Sequence, residues 1–70
     1  MALIFVGNID RRTPEANVRS AFEVYGPVAR VKVMSGFAIV EMMDDTQARN
    51  AITELDRQGS WVVRAMAVAA

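Results

Sequence analysis

The chain has 70 residues, of which 53% are hydrophobic, so its length allows a single small domain and its composition favours a folded chain over a disordered one. It contains no cysteine and no histidine, which excludes a disulfide-stabilised scaffold and a metal site built from those two residue types. Eight basic and eight acidic side chains cancel, so weak non-specific attraction to phosphate is expected, and any such affinity must come from local placement of charge.

The first predicted elements are a strand and a helix. Residues 3–6 form a short apolar run rich in β-branched and aromatic side chains, which is typical of a central strand. Thr13 is a candidate N-cap residue, with Pro14 at the first helical position. Apolar residues then recur at helical spacing, and Gly26 marks the end of the helix. These apolar residues are Val18, Ala21, Phe22 and Tyr25.

From residue 28 the hydrophobic period changes to two, which predicts a strand with one buried and one open face. Val31 and Val33 alternate with Arg30, Lys32 and Met34. Residues 35 and 36 make a tight turn into a further strand over residues 37–42. Because so short a connection joins only antiparallel neighbours, the two strands form a hairpin.

The last predicted elements are a second helix and a fourth strand. The helix has N-cap candidates at residues 44–46 and an apolar stripe on Ala48, Ala51, Ile52 and Leu55. The apolar, β-rich run 61–68 contains the strand. The order β-α-β-β-α-β predicts an α+β, ferredoxin-like fold over residues 1–70, with a four-stranded antiparallel sheet and two helices on one face.

Two segments of this pattern carry a family resemblance. Residues 4–9, IFVGNI, resemble the six-residue ribonucleoprotein motif of the RNA recognition motif family, and residues 35–42, SGFAIVEM, resemble its eight-residue motif. Both fall on the predicted strands that the family requires. The resemblance implies a single-stranded RNA-binding module that stacks bases on Phe5 and Phe37. Strand alternation agrees, because it places both rings opposite the core-facing residues Ile4, Val6 and Val40.

Further candidates for RNA contact lie on or beside this open face. Arg30 and Lys32 are candidates for phosphate contact, although solvated surface charge is the alternative. Asn8 offers an amide at the strand end but also suits a turn. Ala65 and Ala67 are expected on the open face, where small side chains leave room for a base. The complete set of candidate contacts is Phe5, Phe37, Ile39, Lys32, Arg30, Met34, Ala67 and Asn8.

The chain departs from the family pattern at two positions of the eight-residue motif. Ser35 stands where the family usually has Lys or Arg, and Ile39 stands where it usually has a second exposed aromatic residue. We therefore expect modest affinity and low intrinsic sequence specificity. These losses also leave open an alternative, a protein-interaction or homodimerisation module that uses an apolar sheet face. That face would comprise Leu3, Phe5, Met34, Phe37 and Ile39.

Other classes of function find little support in the sequence. Without His or Cys, and with Lys32 as the only lysine, the chain offers few candidates for a base, a nucleophile or a metal ligand, so we expect neither an enzyme nor a bound cofactor or metal. No segment approaches membrane-spanning length. We expect a soluble, cytoplasmic protein, or a nuclear one if the source is eukaryotic. Trp61 is expected to cover the end of the core rather than to stack on a nucleotide.

Overall fold

The computed structural model describes residues 1–66, which form four strands and two helices. In chain order these are β1 (Ala2–Gly7), α1 (Glu15–Glu23), β2 (Val28–Val33), β3 (Phe37–Met42), α2 (Asp45–Arg57) and β4 (Val62–Ala65). The predicted β-α-β-β-α-β order and the ferredoxin-like fold are confirmed.

The strands form one antiparallel sheet in the order β2-β3-β1-β4. The two strands that resemble the family motifs, β1 and β3, therefore lie side by side at the centre of the sheet. The predicted hairpin is confirmed, since β2 and β3 are antiparallel neighbours and Gly36 in the turn between them has φ +87°. This left-handed backbone conformation costs glycine little because glycine has no Cβ.

One face of the sheet is buried beneath the two helices. Alternate residues along the strands form the sheet side of the core, and the apolar stripes of α1 and α2 form the other side. The sheet contributes Ile4, Val6, Val31, Ala38, Val40, Met42 and Val63, and the helices contribute Val18, Phe22, Ala48, Ala51 and Leu55. The strand alternation inferred from the sequence is thus confirmed for β1, β2 and β3, and it leaves the opposite face without helices.

The two helices begin differently. Asp44 caps α2 as predicted, because its carboxylate accepts the Gln47 N–H at 2.8 Å. The predicted Thr13 cap of α1 is wrong: Pro14 occupies the cap position with an extended backbone, and no side chain caps this helix. Thr13 instead closes a turn by donating its N–H to the Asp10 carbonyl at 2.9 Å. The extended conformation of Pro14, with ψ of 150°, delays the helix to Glu15.

The edge strand β4 is tied to the end of α2. The Asp56 carboxylate accepts the backbone N–H of Val63 at 3.1 Å, and the Val63 side chain is buried in the core. Trp61, just before the strand, is partly buried and packs against the core, which confirms its predicted role. Together these contacts tie the short fourth strand to α2 and to the core.

Candidate nucleic-acid interface

Two phenyl rings lie on the open face at the centre of the sheet. Phe5 on β1 and Phe37 on β3 are both partly buried, and their ring centroids are 5.9 Å apart with an interplanar angle of 23°. This is an offset-stacked arrangement of the kind that aromatic pairs prefer. The phenyl rings therefore form a continuous apolar surface, which we call the ring pair, with room above it for a planar ligand.

A row of four residues crosses the sheet at the level of Phe5. Ile39 lies directly across from Phe5 on one side, and Arg64 lies across from it on the other. Lys32 on β2 completes the row as the partner of Ile39. This central row has an exposed cation at each end and apolar side chains in the middle. Such an arrangement suits a ligand with flat apolar groups and a negatively charged backbone.

Arg30 has a different environment from Lys32. Although both lie on the open face of β2, Arg30 is paired directly with Glu41 on β3. Residues opposite each other in an antiparallel sheet have Cβ atoms about 4.5–5.5 Å apart, so the negative charge of Glu41 offsets part of the positive charge of Arg30 without an ion pair between the two side chains. Contact of Arg30 with a phosphate remains a prediction, and the geometry favours Lys32 for that role.

Two other predicted contacts lie at the edge of the ring pair. Met34 follows β2, is 39% exposed, and donates its N–H to the Phe37 carbonyl at 2.7 Å. Asn8 follows β1 with a φ of +60°, and its side-chain amide donates to the Ser60 carbonyl at 3.2 Å. The amide of Asn8 thus has a structural bond, in keeping with the turn-forming alternative. Direct ligand contact by either residue stays a prediction.

The prediction of which residues of the last strand lie on the open face is wrong. Ala65 pairs with Ile4, which faces the helices, so Ala65 is not on the open face. Arg64 and Val62 lie there instead, since they pair with Phe5 and Gly7. A lone arginine within an apolar strand was the available signal for a solvent-facing position. Ala67, also predicted on this face, lies outside the described residues.

The charges of this neutral chain are divided between the two sides of the molecule. On the open face, three cations accompany the single carboxylate of Glu41. In α1, α2 and the α2 cap, six acidic residues accompany three arginines. The acidic set comprises Glu15, Glu23, Asp44, Asp45, Glu54 and Asp56, and the basic set comprises Arg19, Arg49 and Arg57. The zero net charge therefore conceals a positive sheet face.

Comparison of the sequence with known proteins gives a matching family model and several relatives. The sequence model of the RNA recognition motif matches residues 4–59. RbpD of Nostoc sp. (strain PCC 7120 / SAG 25.82 / UTEX 2576), whose name describes a candidate RNA-binding protein, is 42% identical over 73 residues, covering 93% of this chain and 77% of RbpD. The serine/arginine-rich splicing factor RS41 of Arabidopsis thaliana is 40% identical over 57 residues, which cover 81% of this chain but 16% of RS41.

Comparison with solved structures also gives an RNA-binding protein. The crystal structure of the RNA-binding protein PG1 matches with a TM-score of 0.91 at 29% identity, covering 100% of this chain and 99% of PG1. Among residues 1–66, no helix has the length and apolar character needed to cross a membrane. The sequence and structural matches cover both motif strands and both helices, and the chain belongs to the RNA recognition motif family.

Proposed function

We propose that the open face binds single-stranded RNA by stacking bases on Phe5 and Phe37. The observation that carries this proposal is the ring pair itself, two partly buried phenyl groups 5.9 Å apart on the face that no helix covers. Stacking on an aromatic side chain is worth about 1–3 kcal/mol per base. Phenyl rings in a short strand are ordinarily core residues, but here the core is supplied by the opposite face.

Phosphate contacts come from the ends of the central row in this proposal. Lys32 and Arg64 are exposed and flank the apolar centre on opposite edges of the sheet. A strand of RNA that crosses the sheet with its bases on the rings brings its phosphates toward these edges. The relatives named as RNA-binding proteins support the same ligand class.

Affinity and sequence specificity are both modest in this proposal. Ile39 offers apolar contact where a third ring would stack, and Ser35 offers no positive charge. The turn at residues 35 and 36 is too short to fold over a bound strand. Because stacking accepts any base, the rings alone discriminate little between sequences.

Self-association through this face is the weaker alternative. Two copies that met through their open faces would bring together two surfaces that each carry an excess of positive charge. Repulsion of like charges opposes such a dimer, whereas the same positive charge favours an anionic ligand.

A binding role rather than catalysis is also proposed, because the chain has no histidine or cysteine and Lys32 is its only lysine.

The proposal is tested by NMR titration of the ¹⁵N-labelled protein with randomised short RNA at two salt concentrations. We expect chemical-shift changes at Phe5, Phe37 and their strand neighbours, and we expect them to shrink at the higher salt concentration. The double change Phe5→Ala and Phe37→Ala should abolish these changes. Val24→Ala is the control, since Val24 is 79% exposed at the end of α1. Absence of shifts at low salt in the unaltered chain would exclude the proposed function.

A further inference from the structure

Gly7 occupies an unusual position on the open face. It lies two residues after Phe5 on β1 and directly across from Phe37 on β3, yet it is buried. Its cover is the Phe5 ring: a Cβ at Gly7 would lie 2.8 Å from Cε2 and 3.2 Å from Cζ of that ring. Real Cβ atoms essentially never show contacts under 3.0 Å, so a side chain at residue 7 requires the Phe5 ring to shift. The far edge of the ring therefore occupies the space that a side chain at residue 7 would need.

The backbone of Gly7 does not itself call for glycine. Gly36 and Gly59 have φ values of +87° and +80°, a region that L residues rarely adopt, whereas Gly7 has no positive φ. An alanine at residue 7 would be acceptable to the strand but not to the Phe5 ring in its present position. What glycine provides at residue 7 is therefore space above the sheet.

We propose that Gly7 is a positioning residue for the RNA-binding site, a proposal that rests on the function proposed above. The space above Gly7 lets the Phe5 ring lie along β1 until its edge comes beside Phe37. A side chain at residue 7 would turn the ring away and separate the two halves of the ring pair. Since a preformed surface avoids the cost of ordering side chains on binding, loss of the arrangement weakens affinity even though both rings remain.

The first test is Gly7→Ala, with two readouts. Nuclear Overhauser contacts between the ring protons of Phe5 and Phe37 report the ring pair directly and require no ligand. The second readout is the affinity for the randomised short RNA of the titration above, which shows whether the ring pair contributes to binding. We expect the ring contacts to weaken or disappear and the affinity to fall about tenfold, the scale of one lost stack.

The second test separates positioning from a general disturbance of β1. In a Phe5→Leu background there is no phenyl ring to displace, so Gly7→Ala should lower RNA affinity no further than Phe5→Leu alone. Equal losses in the two backgrounds would overturn the positioning role, because the two residues would then act independently. Retained ring contacts with unchanged affinity in Gly7→Ala would overturn it as well.

A stability comparison keeps the inference testable if Gly7→Ala alone does not fold. We expect Phe5→Ala with Gly7→Ala to fold and to have nearly the thermal midpoint of Phe5→Ala, since the clash is with the ring. A double variant that is also unfolded would contradict the inference. Failure of the unaltered chain to bind RNA would overturn the proposed function, while the ring contacts would still decide whether Gly7 positions Phe5.

Discussion

Arg30 and Glu41 face each other directly across β2 and β3 on the open face. Arg30, which the sequence suggested for phosphate contact, therefore has an acidic residue as its cross-strand partner. Opposite charges paired in this way stabilise the sheet but reduce the field that a phosphate would encounter. The two cations of β2 therefore differ in their cross-strand partners. Arg30 lies across from the negatively charged Glu41, whereas Lys32 lies across from the neutral Ile39.

Removing the carboxylate should strengthen RNA binding. Glu41→Gln leaves the shape of the side chain almost unchanged and removes the negative charge from the residue that pairs with Arg30. We expect a gain in affinity of about two- to fivefold at low salt, the scale of one surface charge pair, measured by fluorescence anisotropy with a short single-stranded RNA. Glu23→Gln makes the same change of charge on exposed α1 and should have little effect. Equal gains from both variants would mean that net charge, not the Arg30 pairing, limits affinity.

The cations of the central row should govern the dependence on salt. For single-stranded nucleic acid, each neutralised phosphate contributes about −0.7 to the slope of log affinity against log salt concentration. Lys32→Gln and Arg64→Gln should each make the slope shallower by about that amount, and the double variant by about twice as much. Arg49→Gln, an exposed arginine of α2, is the matched control. An unchanged slope in Arg64→Gln would exclude Arg64 from the interface.

Restoring a third ring should increase affinity. Ile39→Phe places an aromatic side chain beside Phe5, at the position where the family usually has one. We expect about tenfold tighter binding of short RNA by calorimetry, because one stacked base is worth about 1–3 kcal/mol and the apolar contact of isoleucine is given up. Val24→Phe adds a ring at an exposed site just after α1 and should leave affinity unchanged. Unchanged affinity in Ile39→Phe would place the bound strand elsewhere on the face.

The tie between α2 and β4 should be visible in stability. Asp56→Ala removes the acceptor of the Val63 N–H, and we expect the free energy of unfolding in urea to fall by about 1–2 kcal/mol. Asp56→Asn keeps a side-chain oxygen and should retain most of the stability. Hydrogen exchange at the Val63 amide should accelerate in the alanine variant first. If exchange there is unaltered, the bond to Asp56 contributes nothing to holding the edge strand.

Most of the fold and the open-face position of the two phenyl rings could be predicted from sequence because strand alternation is a strict period. Once Ile4 and Val6 are assigned to the core, Phe5 must face the other way. The pairing of Arg30 with Glu41 was also available, since counting back from the two-residue turn at residues 35 and 36 brings these two residues together.

Other features depend on contacts that local sequence does not contain. The orientation of β4 was missed because residues 61–63 are all apolar, which leaves Arg64 as the one sequence signal for the open face. Its register is set from a distance, by pairing with β1 and by the bond from Asp56. The position of the Phe5 ring over Gly7 is a choice of side-chain rotamer, which depends on the cross-strand neighbours of both residues.

The separation of charge between the sheet face and the helices gives the molecule an electric dipole moment although it has no net charge. In the field of a polyanion, a dipole experiences a torque that turns its positive side toward the field source. The protein would thus approach RNA with its rings already facing the strand, so a larger share of collisions becomes productive. It would do so without the uniform positive charge that binds basic proteins to any anionic surface they meet.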